Sequence, residues 1–245
     1  MGSFQTHFPQ PHSVLLPVIH CRGTDHTLRN VSVALGEGAD GVFLINHGFS
    51  GQTLLGIYQA IRAAHPKAWI GVNFLDASPD DFFSHVNPSL EISGYWADNA
   101  GHDPRRPDPV ETPRRAQEAR HRDAAVERIL YFGGVSFKYV HDTNDVAAAV
   151  AASVACRPYV DVLTTSGAAT GQAPSAEKAA TIRKAIGRHP LAIASGISAK
   201  NIHPFLGIVD AFLVASSLAQ DGSEELADEL DPAKVRELAR IIHAG

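Results

Sequence analysis

The sequence lacks the features that mark disulfide-bonded, membrane-spanning and nucleic-acid-binding proteins. Its 245 residues include only two cysteines, too few for a disulfide framework, so we expect reduced thiols. The formal net charge is −5, whereas a general nucleic-acid binder usually carries a basic surplus. No run approaches the roughly 18 apolar residues of a membrane span, and the first residues lack a signal-peptide pattern. We expect a cytoplasmic protein with no membrane span.

Short apolar segments alternate with helical patterns along the chain. Most are rich in Val, Ile, Leu and Phe on both faces, as parallel strands covered by helices are. The eight strand candidates are 13–20, 41–46, 68–74, 92–97, 129–138, 160–165, 191–195 and 210–215. Eight strand–helix units in 245 residues predict a single (β/α)8 barrel domain over 1–245. An open doubly wound sheet is the alternative, but HCRGTDH after strand 1 is not its glycine-rich turn.

Capping residues indicate where the helices between these strands begin and end. The predicted signals are Gly38 after a helix over 25–37, a helix over 52–64, Thr143 capping a run to Cys156, Ser175 capping 176–186 before Gly187, and Asp231–Pro232 opening the last helix. The segment 100–128 interrupts this rhythm with prolines and arginines after strand 4. We interpret it as an insertion, either a solvated loop with an exposed helix or a lid in which Arg105 or Arg106 meets an anion.

Polar residues cluster where the strands end. In a (β/α)8 barrel these positions face one shared mouth, and a mere scaffold does not need acid, base, amine and amide groups there. We assign catalytic roles to Lys138, Asp98 and His20. Lys138 would hold an anion or form an imine, Asp98 would act as general acid or base, and His20 would shuttle protons. The alternatives are a lysine reaching solvent, a turn cap and a core histidine.

Neutral and hydroxyl side chains at other strand ends suit recognition of a substrate. The predicted substrate-binding residues are Asn46, Asn73, Asp76, Thr165, Ser166 and Thr170. Asp76 is also a candidate cap, because Ser78 and Pro79 follow it. The stretch VDVLTTSGAATGQAP, 160–174, combines these hydroxyls with Gly167 and Gly171, which would let the loop fold close to a ligand.

The ends of strands 7 and 8 predict a phosphate site. Barrels often bind phosphate in these two loops, where backbone N–H groups and a short helix supply the anion site. The candidates are Ser195, Gly196, Ser216 and Ser217. A tight turn with a serine cap is the alternative. No cofactor is predicted. No metal is predicted either, because the thirteen histidines form no recognised metal-binding motif. If a metal were bound, the candidate ligands would be His20, His47, Asp98 and His141.

Several segments, taken in order, resemble the BtpA family, which includes SgcQ-like predicted nucleosidases. IHCRG (19–23), ADGVFLIN (39–46), IGVNFLDA (70–77), YFGGVSFKY (131–139), SGAATGQAP (166–174), ASGISAKNI (194–202) and LDPAKV (230–235) carry the resemblance. The most specific match is to a Ser-Gly-X-X-Thr-Gly-X-X-Pro signature. The chain departs from the family pattern at Ile45, Tyr139 and Ala215, and the last replaces a glycine beside the predicted phosphate site.

The resemblance implies a TIM barrel related to phosphate-binding barrels, in a family described both as photosystem I biogenesis factors and as nucleosidases. We therefore expect an enzyme acting on a small phosphorylated or sugar-bearing metabolite, by nucleosidase-like cleavage or isomerisation at an anomeric carbon. Lys138-dependent aldolase or lyase chemistry is one alternative. A non-catalytic assembly factor for a larger complex is the other. The chain could form a homodimer. We do not expect it to bind nucleic acid.

Overall fold

Eight parallel strands form a closed barrel in the computed structural model, which describes residues 3–138, 145–221 and 229–245. The strands are β1 Val14–His20, β2 Val42–Ile45, β3 Ile70–Asn73, β4 Gly94–Ala97, β5 Leu130–Gly134, β6 Val162–Thr165, β7 Leu191–Ala194 and β8 Ala211–Val214. The helices are α1 Ser3–His7, α2 Thr24–Gly36, α3 Gly51–Ala64, α4 Pro79–His85, α5 Glu111–Arg120, α6 Ala124–Glu127, α7 Val146–Cys156, α8 Ala176–Ile186 and α9 Pro232–Ala244. This confirms the predicted (β/α)8 barrel.

The strands are apolar on both faces because each face packs against a different part of the core. Alternate residues of a strand point to opposite sides. In β1, Leu16 and Val18 belong to the cluster inside the barrel, whereas Leu15 and Ile19 belong to the cluster between strands and helices. Burying a large aliphatic side chain stabilises the fold by roughly 1.5–3 kcal/mol. The two clusters together account for the runs of Val, Ile and Leu in the sequence.

Helix α1 covers the amino-terminal end of the barrel. Phe4 and Phe8 are buried in the interior cluster. The ring of Phe8 lies 5.1 Å from that of Trp69, whose indole Nε1 donates a hydrogen bond to His7 Nδ1 at 3.0 Å. Apolar rings thus close this end, which leaves the opposite end for a cavity.

Four repeated hydrogen-bond pairs fasten the amino-terminal ends of neighbouring strands. A polar residue lies just before each of β2, β4, β6 and β8. Its side-chain oxygen accepts a hydrogen bond of 2.8–3.1 Å from the backbone N–H of a residue at the start of the preceding strand. Its own N–H donates to the carbonyl of that same residue at 2.8–3.0 Å. We call these pairs the four ties: Asp40 with Leu15, Ser93 with Ile70, Asp161 with Tyr131, and Asp210 with Leu191.

Each tie also has a basic partner in the last turn of a helix. Arg62 of α3 donates to Ser93, Arg120 of α5 to Asp161 at 2.5 Å, and Arg183 of α8 to Asp210, and His243 of α9 lies 2.9 Å from Asp40. The barrel therefore repeats one arrangement every two strands, and each repeat fixes a helix end to the strands beneath it.

Most predicted caps are present. Ser175 accepts from Lys178 N, and Asp231 accepts from the N–H groups of Ala233 and Lys234. The start of α7 was predicted wrongly, since Asp145 caps it by accepting from Ala147 and Ala148, and Thr143 lies outside the described residues.

The fifth strand is shorter than the predicted 129–138. It ends at Gly134, so Lys138 lies in the loop after the strand and does not end it. Ser136 has a φ of +46°, a left-handed conformation that extended strands do not contain. The chain therefore turns away from the sheet before it reaches Lys138.

The segment 100–128 comprises a loop followed by α5 and α6. Arg105 pairs with Asp103 and Arg106 with Glu111, all at the surface.

Among the described residues no helix combines the length and apolar character that a membrane crossing requires.

The Asp161→Ala variant tests the energetic weight of the ties. The change leaves Arg120, whose side chain is 6% exposed, without its carboxylate and Tyr131 N–H without its acceptor. Breaking one side of a buried pair costs about 3–5 kcal/mol. We expect a loss of that size in the free energy of unfolding, measured with urea. Asp103→Ala, which breaks an exposed pair, is the control and should lower the free energy of unfolding far less, because exposed ion pairs are screened by water. Equal losses in the two variants would show that the tie is dispensable.

Candidate functional site

A cavity of about 440 Å³ opens at the carboxyl ends of the strands. Its walls combine the interior apolar side chains with polar residues from the loops. The lining residues used below are His20, His47, Trp96, Asp98, Lys138, Thr170, Gly171, Ser195, Gly196, Ala215, Ser216 and Ser217. The three predicted catalytic residues and the four predicted phosphate-binding residues all lie along this one cavity.

Lys138 and Asp98 lie next to each other on the wall of the cavity. Lys138 Nζ lies 3.9 Å from Asp98 Oδ2, and the two side chains are 18% and 31% exposed. The other carboxylate oxygen of Asp98 accepts a hydrogen bond from Asn73 Nδ2 at 2.9 Å. Burial raises the pKa of Asp98 above its ordinary value, although Lys138 and the Asn73 amide each pull it back. A carboxyl group with a raised pKa beside an ammonium group can exchange a proton with a bound ligand.

A glycine in β5 allows Asp98 to take this position. A Cβ added to Gly134 would lie 1.9 Å from the carbonyl oxygen of Asp98. The carbonyl of Gly134 also accepts the N–H of Ala100 at 2.8 Å. Any side chain at residue 134 would therefore push the end of β4 and its carboxylate away from Lys138.

The loop that carries Lys138 is held by a second, buried lysine that sequence reasoning missed. Lys178 Nζ donates to the carbonyls of Ser136 and Ser166, each at 2.9 Å. Ser166 Oγ in turn accepts the backbone N–H of Lys138 at 2.7 Å. Lys178 is 3% exposed, and this desolvation lowers its pKa to about 8. Its place in the first turn of α8, three residues after the Ser175 cap, gives no sequence signal of burial.

The stretch 166–174 folds back on itself and packs tightly against the β7 loop, and one glycine makes each of these two contacts possible. A Cβ on Gly167 would lie 2.4 Å from the carbonyl oxygen of Gln172, and one on Gly196 would lie 2.0 Å from Ala173 N. Gly196 also has a φ of +72°. Backbone thus packs on backbone, which brings Thr170 and Gly171 to the cavity wall.

The ends of β7 and β8 form one side of the cavity. Ser195 has a φ of +76°, which non-glycine residues rarely adopt. Ser216 begins a single 3-10 turn, and Ser217 Oγ donates to the carbonyl of Ile197 at 2.5 Å, which joins the two loops. Of the three non-glycine residues with positive φ in the described part of the chain, Ser136 and Ser195 lie at this mouth. Strained backbone of this kind concentrates at functional sites.

Two histidines lie together at the ends of β1 and β2. The rings of His20 and His47 are 4.7 Å apart with an angle of 62° between their planes, and both line the cavity. The positive charge that His47 can carry also favours the ionised form of Asp98. His47 belongs to the site although it was not among the predicted site residues, and His141 lies outside the described residues.

Of the six predicted substrate-binding residues, Thr170 is among those that line the cavity. The other five are not, and their side chains make hydrogen bonds within the protein. Asn46 donates to Asp76 at 2.9 Å and accepts from Leu75 N, and Asp76 accepts from Gly51 N. Burial favours a higher pKa for Asp76, but these hydrogen bonds outweigh it and the pKa is lowered. Asn73, Thr165 and Ser166 likewise bond to Asp98, Ser136 and Lys138. These side chains support the loops around the cavity.

The segment 100–128 contributes none of the residues that line the cavity. Arg105 and Arg106 are paired within the segment, and Arg115 of α5 pairs with Asp80 of α4 at 3.3 Å. The contacts of this segment are those of a barrel helix with its preceding loop.

Gly196→Ala tests the backbone contact beside the cavity, with Gly207→Ala as a matched control. Both glycines have φ near +73°, namely +72° and +74°, but an added Cβ at Gly207 meets nothing within 4 Å. Gly207→Ala should cost only the left-handed strain, about 1–2 kcal/mol. Gly196→Ala should cost about 1–3 kcal/mol more through overpacking and increase proteolysis in 166–174. Urea unfolding and limited proteolysis measure both effects, and identical behaviour of the two variants would contradict the packing argument.

Lys178 gives the stability a specific pH dependence. Its pKa is about 8 in the folded protein and 10.5 ordinarily, so between these values the unfolded chain binds the proton that the folded chain has lost. The free energy of unfolding of the native protein, relative to Lys178→Met, should therefore rise with pH from about 8 to 10, by at most about 1.4 kcal/mol per unit. Urea titrations at several pH values measure this difference. The exposed Lys184→Met is the control, and a flat difference for Lys178→Met would refute the shift.

Comparisons with known proteins agree with this architecture. A synthase of (S)-3-O-geranylgeranylglyceryl phosphate from Thermoplasma acidophilum, solved with sn-glycerol-1-phosphate, superposes with a TM-score of 0.68 at 10% identity, covering 100% of both chains. A Mycobacterium tuberculosis tryptophan synthase gives 0.66 at 14% identity over 99% of this chain and 97% of that one. A phosphoribosyl anthranilate isomerase from Thermus thermophilus gives 0.60 at 16% identity over 94% and 98%. At these identities the likeness establishes the fold alone.

Sequence comparison is more specific. No curated protein matches the chain significantly. The model of the BtpA family matches residues 111–244, more than half of the chain, and this range includes Lys138, the 166–174 stretch and both predicted phosphate-binding loops. The chain belongs to the BtpA family.

Proposed function

We propose that this protein is an enzyme that binds a small phosphorylated or sugar-bearing metabolite in the cavity at the carboxyl ends of its strands. The observation that carries the proposal is the Lys138–Asp98 pair, 3.9 Å apart on the cavity wall. An ammonium group and a carboxyl group with a raised pKa are the means of acid–base chemistry at a bound ligand. Cleavage or isomerisation at an anomeric carbon is the reaction that suits them best.

Each residue of the pair has a separate part in that reaction. Asp98, protonated more readily than an ordinary aspartate because it is buried, donates a proton to a departing or ring oxygen. As a carboxylate it then stabilises the oxocarbenium-like centre or takes the proton back from water. Lys138 offsets negative charge that develops on the substrate. His20, close to His47, holds a substrate hydroxyl.

The β7 and β8 loops are the proposed phosphate site. Ser195, Gly196, Ser216 and Ser217 line the same cavity as the pair, and loops at these two strands bind phosphate in many barrels. The barrel from Thermoplasma acidophilum, solved with sn-glycerol-1-phosphate, has the same fold. The methyl group of Ala215, which stands where the family pattern has a glycine, leaves a phosphate less room to approach the backbone. We therefore expect the serine hydroxyl groups, as well as backbone N–H groups, to hold a phosphate monoester.

The two alternatives make different demands. Imine chemistry requires Lys138 Nζ to become covalently linked to a carbonyl substrate, which borohydride would trap. An assembly factor would need a sizeable apolar docking face. In the described part of the chain the exposed large hydrophobic side chains are Leu75 and Val154, and Leu75 lines the cavity. No specific observation favours this second alternative.

A thermal-shift screen against phosphate esters, nucleotides, nucleosides and free sugars tests the proposal. A ligand at 100 times its Kd stabilises by about 2.7 kcal/mol, which raises the Tm of a domain this size by roughly 5–10 °C. We expect a hit among phosphorylated sugars or nucleotides that is lost in a Ser195→Ala/Ser216→Ala double variant.

The hit compound is then assayed for turnover. Asp98→Asn and Lys138→Ala should keep the native fold and lower kcat at least 100-fold, the usual contribution of acid–base catalysis. The exposed Lys184→Ala is the control and should behave as the native protein. Full activity in both site variants would overturn the catalytic assignment. No shift with any compound would overturn the substrate class.

A further inference from the structure

We propose that His12, Asp40 and His243 form a binding site for a divalent transition-metal ion, with Zn²⁺ as the best fit. The cluster lies at the amino-terminal end of the barrel, opposite the cavity, because His12 and Asp40 precede β1 and β2. One ligand atom from each residue lies within 4.8 Å of the others. His243 Nε2 is 2.9 Å from Asp40 Oδ2, and the rings of His12 and His243 are 4.3 Å apart.

The three groups have the chemistry of a zinc site. Imidazole nitrogen and carboxylate oxygen bind Zn²⁺ at about 2.0–2.2 Å, so tetrahedral ligand atoms lie about 3.3 Å from each other. The 2.9 Å separation of His243 Nε2 and Asp40 Oδ2 already approaches that edge length. Three protein ligands leave a fourth position for water.

Surrounding hydrogen bonds orient the ligands as they do in metal sites. His12 Nδ1 lies 2.9 Å from the carbonyl oxygen of Ser13, which can only accept, so the ring proton is on Nδ1 and Nε2 keeps its lone pair. Asp40 accepts from Leu15 N at 2.8 Å and from Gln10 Nε2 at 3.1 Å. Carbonyl-anchored histidines and hydrogen-bonded carboxylates are the usual outer shell of bound zinc.

The cluster also departs from the repeat to which Asp40 belongs. In the other three ties the basic partner is an arginine, which donates hydrogen bonds but cannot bind a metal. At Asp40 the partner is His243, and His12 supplies a second imidazole beside it. A tie requires one donor only. The replacement of arginine by two potential ligands therefore indicates a further role.

A metal here would join three distant parts of the chain. His12 lies before the first strand, Asp40 before the second, and His243 at the end of the last helix. Pairing of β1 with β8 closes the barrel. The ion would link the segments before β1 and β2 to helix α9, which follows β8. We expect bound zinc to raise stability with no direct effect on the cavity.

Titration of the untagged, chelator-treated protein with Zn²⁺ tests the proposal. Calorimetry should give one ion per chain, and Co²⁺ should give the visible absorption of a four-coordinate site. At a free zinc concentration 100 times Kd the Tm should rise by roughly 5–10 °C. His12→Ala, which leaves the tie intact, should weaken binding at least 10-fold, and His12→Ala/His243→Gln should abolish it.

The control is His85→Ala, since His85 and Asp81 form an exposed pair at 3.1 Å that belongs to no three-residue metal-binding group among the described residues. This variant should bind zinc as the native protein does. No stoichiometric binding by the native protein, or equal binding by the His12→Ala/His243→Gln variant, would overturn the site. The Tm of each variant without metal shows whether its fold is intact.

Discussion

The four ties at the amino-terminal ends of the strands are the constraint on which the rest of the molecule depends. Each one binds both the N–H and the carbonyl of one strand residue to a single residue before the next strand. This fixes the stagger of the two strands, and in a closed barrel the stagger of every pair determines where all eight carboxyl ends meet. The arginines and His243 extend the constraint to the helices. The positions of Asp98 and Lys138 at the carboxyl ends therefore depend on the strand register that the four ties set at the amino-terminal end.

The two ends of the barrel are held by partly different means. The amino-terminal end uses charged and hydrogen-bonded side chains, whereas the carboxyl-terminal end combines hydrogen-bonded side chains such as Lys178 with glycines that let backbone pack on backbone. Gly134, Gly167 and Gly196 each let one stretch of backbone contact another at distances that a Cβ would not permit. These contacts make the loops compact without filling the space above the strands. The cavity is therefore a consequence of glycine positions as much as of the polar residues that line it.

The sequence predicted the features that depend on neighbouring residues. The strands were recognisable because both faces are apolar, and the Ser175 and Asp231 caps because a cap and its N–H partner lie within three residues. The convergence of His20, Asp98, Lys138 and Ser195 followed from the fold class. Asn46 and Asp76, thirty residues apart, bond to each other, and no local pattern distinguishes such a pair from ligand-binding groups. The burial of Lys178 and the fourfold repeat of the ties likewise depend on long-range contacts.

In the proposed catalytic pair, the charge partner of Asp98 lies near the carboxylate without hydrogen-bonding to it. At 3.9 Å, Lys138 Nζ and Asp98 Oδ2 are beyond the length of a normal hydrogen bond, so neither group is fully satisfied by the other. Asn73 fixes one oxygen of the carboxylate and leaves the second directed at the lysine. A ligand oxygen that enters between them can accept from the ammonium group while it exchanges a proton with Asp98. A closer ion pair would exclude that ligand and lower the pKa of the carboxyl group, so Asp98 would be less able to act as the proposed acid.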